Sequence, residues 1–334
     1  MPDARHLYDL PKRTFPGKNP RLSRRLTVDA PSAGSDRVPV KIRIGIGIGP
    51  RSADDDLGFA GVVDLCEKLA VDSLWLPDTV TTDLPDPHVG MAFAAGRTTR
   101  LKLGTGVSVL PGRNPFSVAK ELATLADLAP GRILPAFGLQ HARAFERPLF
   151  PPPGRRGDVF DEALTLVRRL LSEENVTFEG TWYRCERMTV RPRPARPLDL
   201  WLGGSGPLAL RRVGRLGDGW LAANVTAAEA AAGRAAIEAA AAEAGRTVDD
   251  DHYGLSLPVA FGPVPDALLH ALRERRPEAT AEELVPNGWE AARRMIRACV
   301  DGGISKFVVR PATPPASWSD FLAEFAEELL PLET

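Results

Sequence analysis

Short apolar runs alternate with longer amphipathic segments from Lys41 to the end of the chain. Each run is bounded by glycine, proline or charged residues, which is typical of buried parallel strands. Eight strands are predicted: Lys41–Ile48, Ser73–Leu76, Leu101–Val109, Gly131–Phe137, Asp199–Leu202, Gly219–Ala222, Tyr253–Phe261 and Ser305–Val309.

The segments between these runs carry apolar residues at intervals of three and four, which is the spacing of an amphipathic helix. Val176–Arg184 instead alternates in polarity around a central glycine, which predicts a hairpin outside the main pattern. Helices are predicted over Asp54–Ala70, Asn114–Leu128, Arg156–Leu171, Pro207–Leu216, Ala227–Ala244, Gly288–Val300 and Trp318–Leu330.

Strands that alternate with helices predict parallel pairing with right-handed crossovers. Eight such units in about 290 residues fit a closed (β/α)8 TIM barrel with insertion segments, in the α/β class. A doubly wound sheet is the alternative, and it would need a phosphate-binding loop after the first strand.

Glycines do follow the first strand, at Gly45, Gly47 and Gly49. They repeat every second residue, and Pro50 occupies the last position of the G-x-G-x-x-G pattern, so a dinucleotide fingerprint is not met. Their period places them on one face of a strand. They leave room there either for a neighbour inside the barrel or for a flat ligand at its mouth.

The composition narrows the function classes. The 334 residues include 42 Lys and Arg against 43 Asp and Glu. Nucleic-acid-binding proteins carry an excess of basic residues, so this charge balance does not favour that class. No apolar run approaches the roughly 20 residues that cross a bilayer. Cys66, Cys185 and Cys299 fit no disulfide or metal motif, and the five histidines show no ligand spacing. We therefore expect no bound metal and a reducing cytoplasm.

Residues 1–40 differ from the rest of the chain. They contain six prolines and eight Lys or Arg against four Asp or Glu, with few large apolar residues. Such a segment buries too little surface to offset the entropy lost on ordering it. We expect residues 1–40 to be a flexible N-terminal extension and residues 41–334 to form the barrel domain.

Reacting groups in (β/α)8 barrels lie at the carboxyl ends of the strands. Asp78 follows the second strand, and its carboxylate is interpreted as an acid/base or hydrogen-bonding group, or else as a loop cap. Gly106, Val107 and Ser108 end the third strand, where two nearby glycines indicate a bulge or a strained peptide.

Two later loops also carry candidate groups. His141, beside Gln140 after the fourth strand, is a candidate proton donor because an imidazole titrates near neutral pH, although an ordinary hydrogen-bonding role is the alternative. Residues 203–206 (GGSG) follow the fifth strand and open a helix. They predict either a phosphate site at the helix N-terminus or a tight, serine-capped turn.

Several stretches resemble the luciferase-like flavin and deazaflavin oxidoreductases, over roughly residues 41–330. They are LAVDSLWLPD at 69–78, TTRLKLGTGVSVLPGRNPFSVAKELATLADLAPGRI at 98–133, WLGGSG at 201–206 and LGDGW at 216–220. GISKFVVRP at 303–311 is most similar to the coenzyme F420 branch found in actinomycetes. The resemblance implies a TIM barrel with coenzyme F420 over its mouth and a hydride transferred to or from a small organic substrate.

The resemblance also implies roles for individual residues. Asp78 matches the acidic residue after the second strand in F420 enzymes, and it and His141 are the candidate catalytic residues. A cis peptide would lie at Gly106–Val107 or Val107–Ser108. The residues implied to contact the cofactor are Asp78, Gly106, Val107, Ser108, Gln140, Gly203, Gly204 and Ser205. Three arginines are implied as partners of the coenzyme's phosphate or acidic tail: Arg113, Arg143 and Arg310.

Two positions depart from the family pattern. Thr79 stands where F420 enzymes often have His, and Gln140–His141 stand where sugar-phosphate and alcohol dehydrogenases often have Glu. Both departures count against those two substrate classes. An FMN-dependent monooxygenase and a non-catalytic barrel subunit are the alternative functions, and the family often forms homodimers through barrel-side helices.

Overall fold

The structure is a computed structural model that describes residues 41–49, 56–141 and 143–334. The predicted extension over residues 1–40 lies outside the described residues. Within them the strands are β1 Arg43–Gly47, β2 Ser73–Leu76, β3 Lys102–Thr105, β4 Ser108–Val109, β5 Ile133–Leu134, β6 Ala136–Gly138, β7 Val176–Glu179, β8 Arg184–Met188, β9 Trp201–Gly203, β10 Gly219–Ala223, β11 Tyr253–Val259 and β12 Lys306–Pro311.

Helices separate most of these strands. They are α1 Gly58–Lys68, α2 Pro87–Arg97, α3 Pro115–Leu128, α4 Arg156–Ser172, α5 Pro207–Leu216, α6 Ala227–Glu243, α7 Asp266–Arg275, α8 Ala281–Leu284, α9 Trp289–Asp301 and α10 Trp318–Leu329, with 3-10 helices at Ala144–Leu149 and Leu330–Leu332. Capping residues determine where several of these helices begin. Asn114, for example, accepts the backbone N–H of Phe116 at 2.9 Å and precedes Pro115 at the first position of α3.

Ten of the strands form one parallel sheet in the order β4-β6-β9-β10-β11-β12-β1-β2-β3-β5. β3 and β4 are two halves of one strand, and so are β5 and β6, because β3 pairs with β5 and β4 pairs with β6. The two ends of the order therefore meet, and the sheet closes into an eight-stranded barrel. The predicted TIM barrel is confirmed.

The interior of the barrel is filled by two tryptophans. Trp75 on β2 and Trp201 on β9 meet edge to face with ring centroids 6.5 Å apart. Glycines make room for them, since a Cβ at Gly104 or at Gly219 would lie 2.5 Å from the nearer indole ring. Gly45 has the same role, because its Cβ would fall 2.3 Å from the Ser73 hydroxyl. For Gly45 the structure thus supports the barrel-interior interpretation.

The second layer packs the helices around the barrel. Its core uses the opposite faces of the same strands, with Ile44, Ile46, Leu255 and Leu257 all buried against helical side chains. Alternate residues of β1 and β11 thereby serve the inner and the outer core. Of the helices in the described residues, none is long and apolar enough to span a membrane.

Three helices were not predicted from the sequence. α2 lies between the second and third strands, where Asp86 accepts the N–H groups of His88 and Val89 and Pro87 begins the helix. α7 and α8 occupy the charged stretch after β11. The hairpin predicted at Val176–Arg184 is confirmed as the antiparallel pair β7–β8, and all three cysteines are free thiols.

Candidate active site

The third strand breaks at the barrel mouth. The peptide bond between Gly106 and Val107 is cis, one of the two positions predicted. The Val107 side chain then lies across the neighbouring strands: a Cβ at Gly138 would be 2.6 Å from it and one at Gly203 would be 3.1 Å from it. Glycines on β6 and β9 thus admit Val107, which forms part of the floor of the mouth.

Asp78 ties this bulge to the loop after β2. Its carboxylate accepts the N–H of Val109 at 2.8 Å and the hydroxyl of Ser108 at 3.4 Å. Arg113 donates to both carboxylate oxygens at 2.9 Å. Asp78 and Ser108 are buried. Asp78 therefore hydrogen-bonds within the protein, to the bulge and to Arg113 in the loop before α3.

His141 is buried beside Asp78. A carbonyl oxygen can only accept, so the 3.1 Å contact with the Asp78 carbonyl places a proton on Nδ1 of His141. The ring stacks on Phe150 with centroids 4.9 Å apart. The Nε2 atom is buried and has no hydrogen-bond partner among the described residues. A buried nitrogen without a protein partner is one that an internal water or a bound molecule would pair.

Glu146 is a site residue that the sequence interpretation missed. Its fully buried carboxylate accepts the N–H of Thr81 at 3.0 Å and the Thr81 hydroxyl, and its other oxygen lies 3.6 Å from Nδ1 of His141. Burial raises the pKa of Glu146, but the Thr81 hydrogen bonds and the charge of Arg143 outweigh it and lower that pKa below its usual value. Glu146 is placed to stabilise a proton on His141.

The turn after β9 opens onto a cavity. Gly204 adopts φ +113°, and its carbonyl accepts the indole N–H of Trp220 at 2.7 Å. Gly206 is the N-cap residue of α5 and supplies no side-chain cap. The adjoining cavity has a volume of about 550 Å3, and Ser205, Gly206 and Arg276 contribute to its lining. The turn therefore faces open space with an uncapped helix N-terminus, as an anion site would.

The other residues singled out in the sequence differ in their exposure and in their hydrogen-bond partners. Gln140 is exposed, and Thr79 bonds Thr82 at 2.6 Å between hydroxyl oxygens. Of the three arginines, Arg113 is paired with Asp78 and Arg143 donates to the Thr81 hydroxyl. The side chain of Arg310 has no hydrogen bond or ion pair to any described residue.

Comparison with known proteins agrees with this geometry. The family model described as luciferase-like monooxygenase matches residues 57–304. The chain belongs to the luciferase-like monooxygenase family. The predicted resemblance is thereby confirmed over most of the barrel.

Two curated relatives of this luciferase-like protein match it over almost their whole length. An F420-dependent glucose-6-phosphate dehydrogenase of Intrasporangium calvum is 30% identical over 85% of this chain and 98% of the relative. One of Kribbella flavida is 28% identical over 86% of the chain and 98% of the relative. Both of these relatives match this chain over most of the barrel domain.

Solved structures share the fold at lower identity. An F420-dependent secondary alcohol dehydrogenase, in complex with an F420-acetone adduct, superposes with a TM-score of 0.72 at 20% identity and covers 88% of this chain and 100% of its own. The FMN-bound oxygenating constituent of 3,6-diketocamphane monooxygenase from Pseudomonas putida gives 0.67 at 16% identity, covering 88% and 99%. Among these neighbours of the same fold, one is in complex with an F420 adduct and the other with FMN.

Proposed function

We propose that this protein is a coenzyme F420-dependent oxidoreductase that transfers a hydride between the deazaflavin and a small organic substrate. The observation that carries the proposal is its similarity, across the full barrel, to relatives named for an F420-dependent reaction. Neither relative's substrate is assumed for this chain, because Thr79 and Gln140 depart from the pattern of those dehydrogenases.

The mouth has places for the parts of such a coenzyme. A bound deazaflavin would supply a ring carbon that gives or takes a hydride. Residues of the third-strand bulge, Gly106 to Ser108, would support the flat ring from below. The uncapped N-terminus of α5, with Gly203 to Ser205 before it, would hold a phosphate beside the adjoining cavity.

Residues of this chain would donate or accept the proton in the reaction. Nε2 of His141 is the unpaired buried nitrogen at the mouth, and Glu146 lies behind the other ring nitrogen. We assign His141 the role of proton donor or acceptor to the reacting oxygen or nitrogen of the substrate. Asp78 holds the bulge through Val109 and Arg113, so we assign it a positioning role toward the cofactor.

The phosphate assignment is tested at Gly206. This residue has φ −76°, and an added Cβ would meet nothing within 4 Å, so Asp is accommodated there and would cap α5. The new carboxylate would oppose a phosphate at the same amides, and like charges in contact cost several kcal/mol. We expect Gly206→Asp to weaken F420 binding at least 100-fold, measured by quenching of F420 fluorescence, while the midpoint of urea unfolding stays the same or rises.

Gly206→Asn is the matched control, since it has the same size and caps the same helix without charge. It is expected to bind F420 at least tenfold more tightly than the Asp variant. Unchanged affinity in a folded Asp variant would remove the phosphate from this turn. Gly204→Asp is a poorer probe because its Cβ would fall 2.8 Å from that of Ala209 in a left-handed conformation.

An FMN-dependent monooxygenase is the second candidate, favoured by the FMN-bound neighbour of the same fold. Titration of the protein with F420 and with FMN separates the two, together with oxygen consumption in the presence of reduced FMN. A non-catalytic barrel subunit would bind neither. A screen of alcohols, sugar phosphates and organic acids with oxidised F420, and of carbonyl compounds and imines with reduced F420, would then identify the substrate.

We also infer a homodimer formed through barrel-side helices, as the resemblance implies, and a reducing cytoplasm, as the cysteine pattern indicates. Sedimentation equilibrium of the purified chain tests the first point. The second is consistent with three free thiols. Of these, Cys66 is fully buried, and burial raises its pKa to about 12.

A further inference from the structure

Arg310 is placed on the inner wall of the barrel mouth. Val308, two residues earlier on β12, packs with Trp75 and Trp201 in the interior cluster. Because strand residues alternate between faces, the side chain of Arg310 starts on the same inner face, one layer closer to the mouth. Gly47 lies beside it on β1, where a Cβ would be 3.3 Å from that of Arg310. Because Gly47 has no side chain, it leaves space beside Arg310 on the inner wall.

The guanidinium of Arg310 lacks a counter-ion among the described residues. Its other strand neighbour, Pro258 on β11, is uncharged. The two carboxylates described at the mouth have other partners: Asp78 pairs with Arg113, and one oxygen of Glu146 accepts from Thr81. Burial lowers the pKa of Arg310, and no neighbouring charge offsets it. A half-buried arginine of this kind carries an unbalanced positive charge facing the place where a ligand would enter.

We propose that Arg310 binds a carboxylate or phosphate group, and that the substrate of this enzyme is a small organic anion. The inference rests on the proposed function, which makes the mouth the reaction site. A planar guanidinium offers paired donors that match the oxygens of a carboxylate or of a phosphate. The proposed class of ligand therefore includes both groups.

The acidic tail of the coenzyme is the other source of such a group. The phosphate-binding turn assigned above follows β9, which is separated from β12 by β10 and β11 in the sheet order. The cavity next to that turn is lined by the turn itself, α5, α6, the end of α7 and the outward-facing Trp220 of β10, whereas Arg310 belongs to the inner wall. The geometry therefore assigns Arg310 to the substrate rather than to the tail.

The test compares full-length wild type, Arg310→Met and Arg310→Lys. Met keeps the length of the side chain and removes its charge, while Lys keeps the charge and loses the paired donors. Arg297→Met, on the exposed surface of α9, is the control for the same change in net charge. Inorganic phosphate, citrate and glucose 6-phosphate are titrated by calorimetry into the F420-loaded protein, with glucose as the neutral partner of the last, and the F420 affinity is measured separately by fluorescence.

We expect wild type to bind at least one of the three anions, and glucose at least tenfold more weakly than glucose 6-phosphate if the sugar phosphate is the anion bound. Arg310→Met should lose at least tenfold in anion affinity, Arg310→Lys should lose less, and Arg297→Met should lose none. The F420 affinity should stay within twofold throughout.

Three results would overturn the proposal: no anion bound by the F420-loaded wild type, equal anion affinity in Arg310→Met, or a loss of F420 affinity in Arg310→Met with anion binding unchanged. The last result would assign Arg310 to the coenzyme's tail. Failure of wild type to bind F420 would instead overturn the proposed function, and anion titration of the cofactor-free protein would still decide whether Arg310 is an anion site.

Discussion

The two ends of the barrel treat buried charge in opposite ways. Lys306 lies at the amino end of β12, which we call the closed end of the barrel. Arg310 lies four residues later on the same face of the strand, at the mouth. Lys306 donates to Asp72 at 2.7 Å, and Lys102 donates to the same carboxylate at 2.6 Å. Arg310 has no such partner among the described residues. One strand therefore carries a paired cation at one end and an unpaired cation at the other.

The comparison separates groups that stabilise the fold from groups kept available for a ligand. Burial raises the pKa of Asp72, but the ammonium groups of Lys306 and Lys102 outweigh it and hold that pKa at about 2. At the mouth, Nε2 of His141 and one oxygen of Glu146 are buried without partners in the described part of the chain. Unsatisfied groups of this kind cost stability, and enzymes carry that cost at sites that bind other molecules.

The largest expected effect is at the closed end. Asp72→Asn would leave Lys306 buried without its counter-ion, and breaking a buried pair costs about 3 kcal/mol or more. We expect a loss of that size in the free energy of unfolding in urea at pH 7. Asp64→Asn, which breaks an exposed pair with Arg97, is the control and should cost less than about 1 kcal/mol.

The same variant has a defined pH dependence. The folded-state pKa of Asp72 is about 2, below its ordinary value of 3.8, so its contribution is present above about pH 4 and is lost as the pH falls toward 2. The difference in stability between wild type and Asp72→Asn should therefore shrink over that range. A difference that stays constant from pH 5 to pH 3 would show that the carboxylate charge is not what stabilises this end.

A smaller free-energy change is expected at the mouth. His141→Ala should lower turnover of the substrate found in the screen about 100-fold, because it removes the proposed general acid/base. The F420 affinity should change less than threefold. His270→Ala, at an exposed position on α7, is the control. Equal losses of turnover and of F420 affinity would recast His141 as a binding residue.

Much of the fold could be predicted because its signals are local. Ser73–Leu76 and Pro207–Leu216 were predicted to the residue, since each has a clear apolar pattern and sharp boundaries. α2 was missed because its buried face is built from Gly90, Met91 and small alanines, which give little hydrophobic contrast. The strand-end rule also placed Asp78 and His141 at the mouth, where they meet.

The pairing of side chains could not be predicted in the same way. Arg113 and Arg310 are the same residue type in the sequence. In the structure the side chain of Arg113 donates to Asp78, whereas that of Arg310 has no partner among the described residues. That difference depends on which residues other strands bring opposite, and no local pattern records it. Glu146 was missed for the same reason: its importance comes from Thr81, which is distant in sequence and close in space.

The smallest expected effect tests the comparison most directly, because it predicts opposite signs on one strand. Arg310→Met should raise the free energy of unfolding by about 0.5–1 kcal/mol, since it replaces an unpaired cation with an apolar side chain next to Val308 and Pro258. Lys306→Met on the same face should lower it, because Asp72 would lose one of its two close partners. Urea unfolding of both variants without cofactor measures the two effects. A loss in both would mean that Arg310 supports the barrel as Lys306 does, and the distinction between a stabilising end and a binding end would fail.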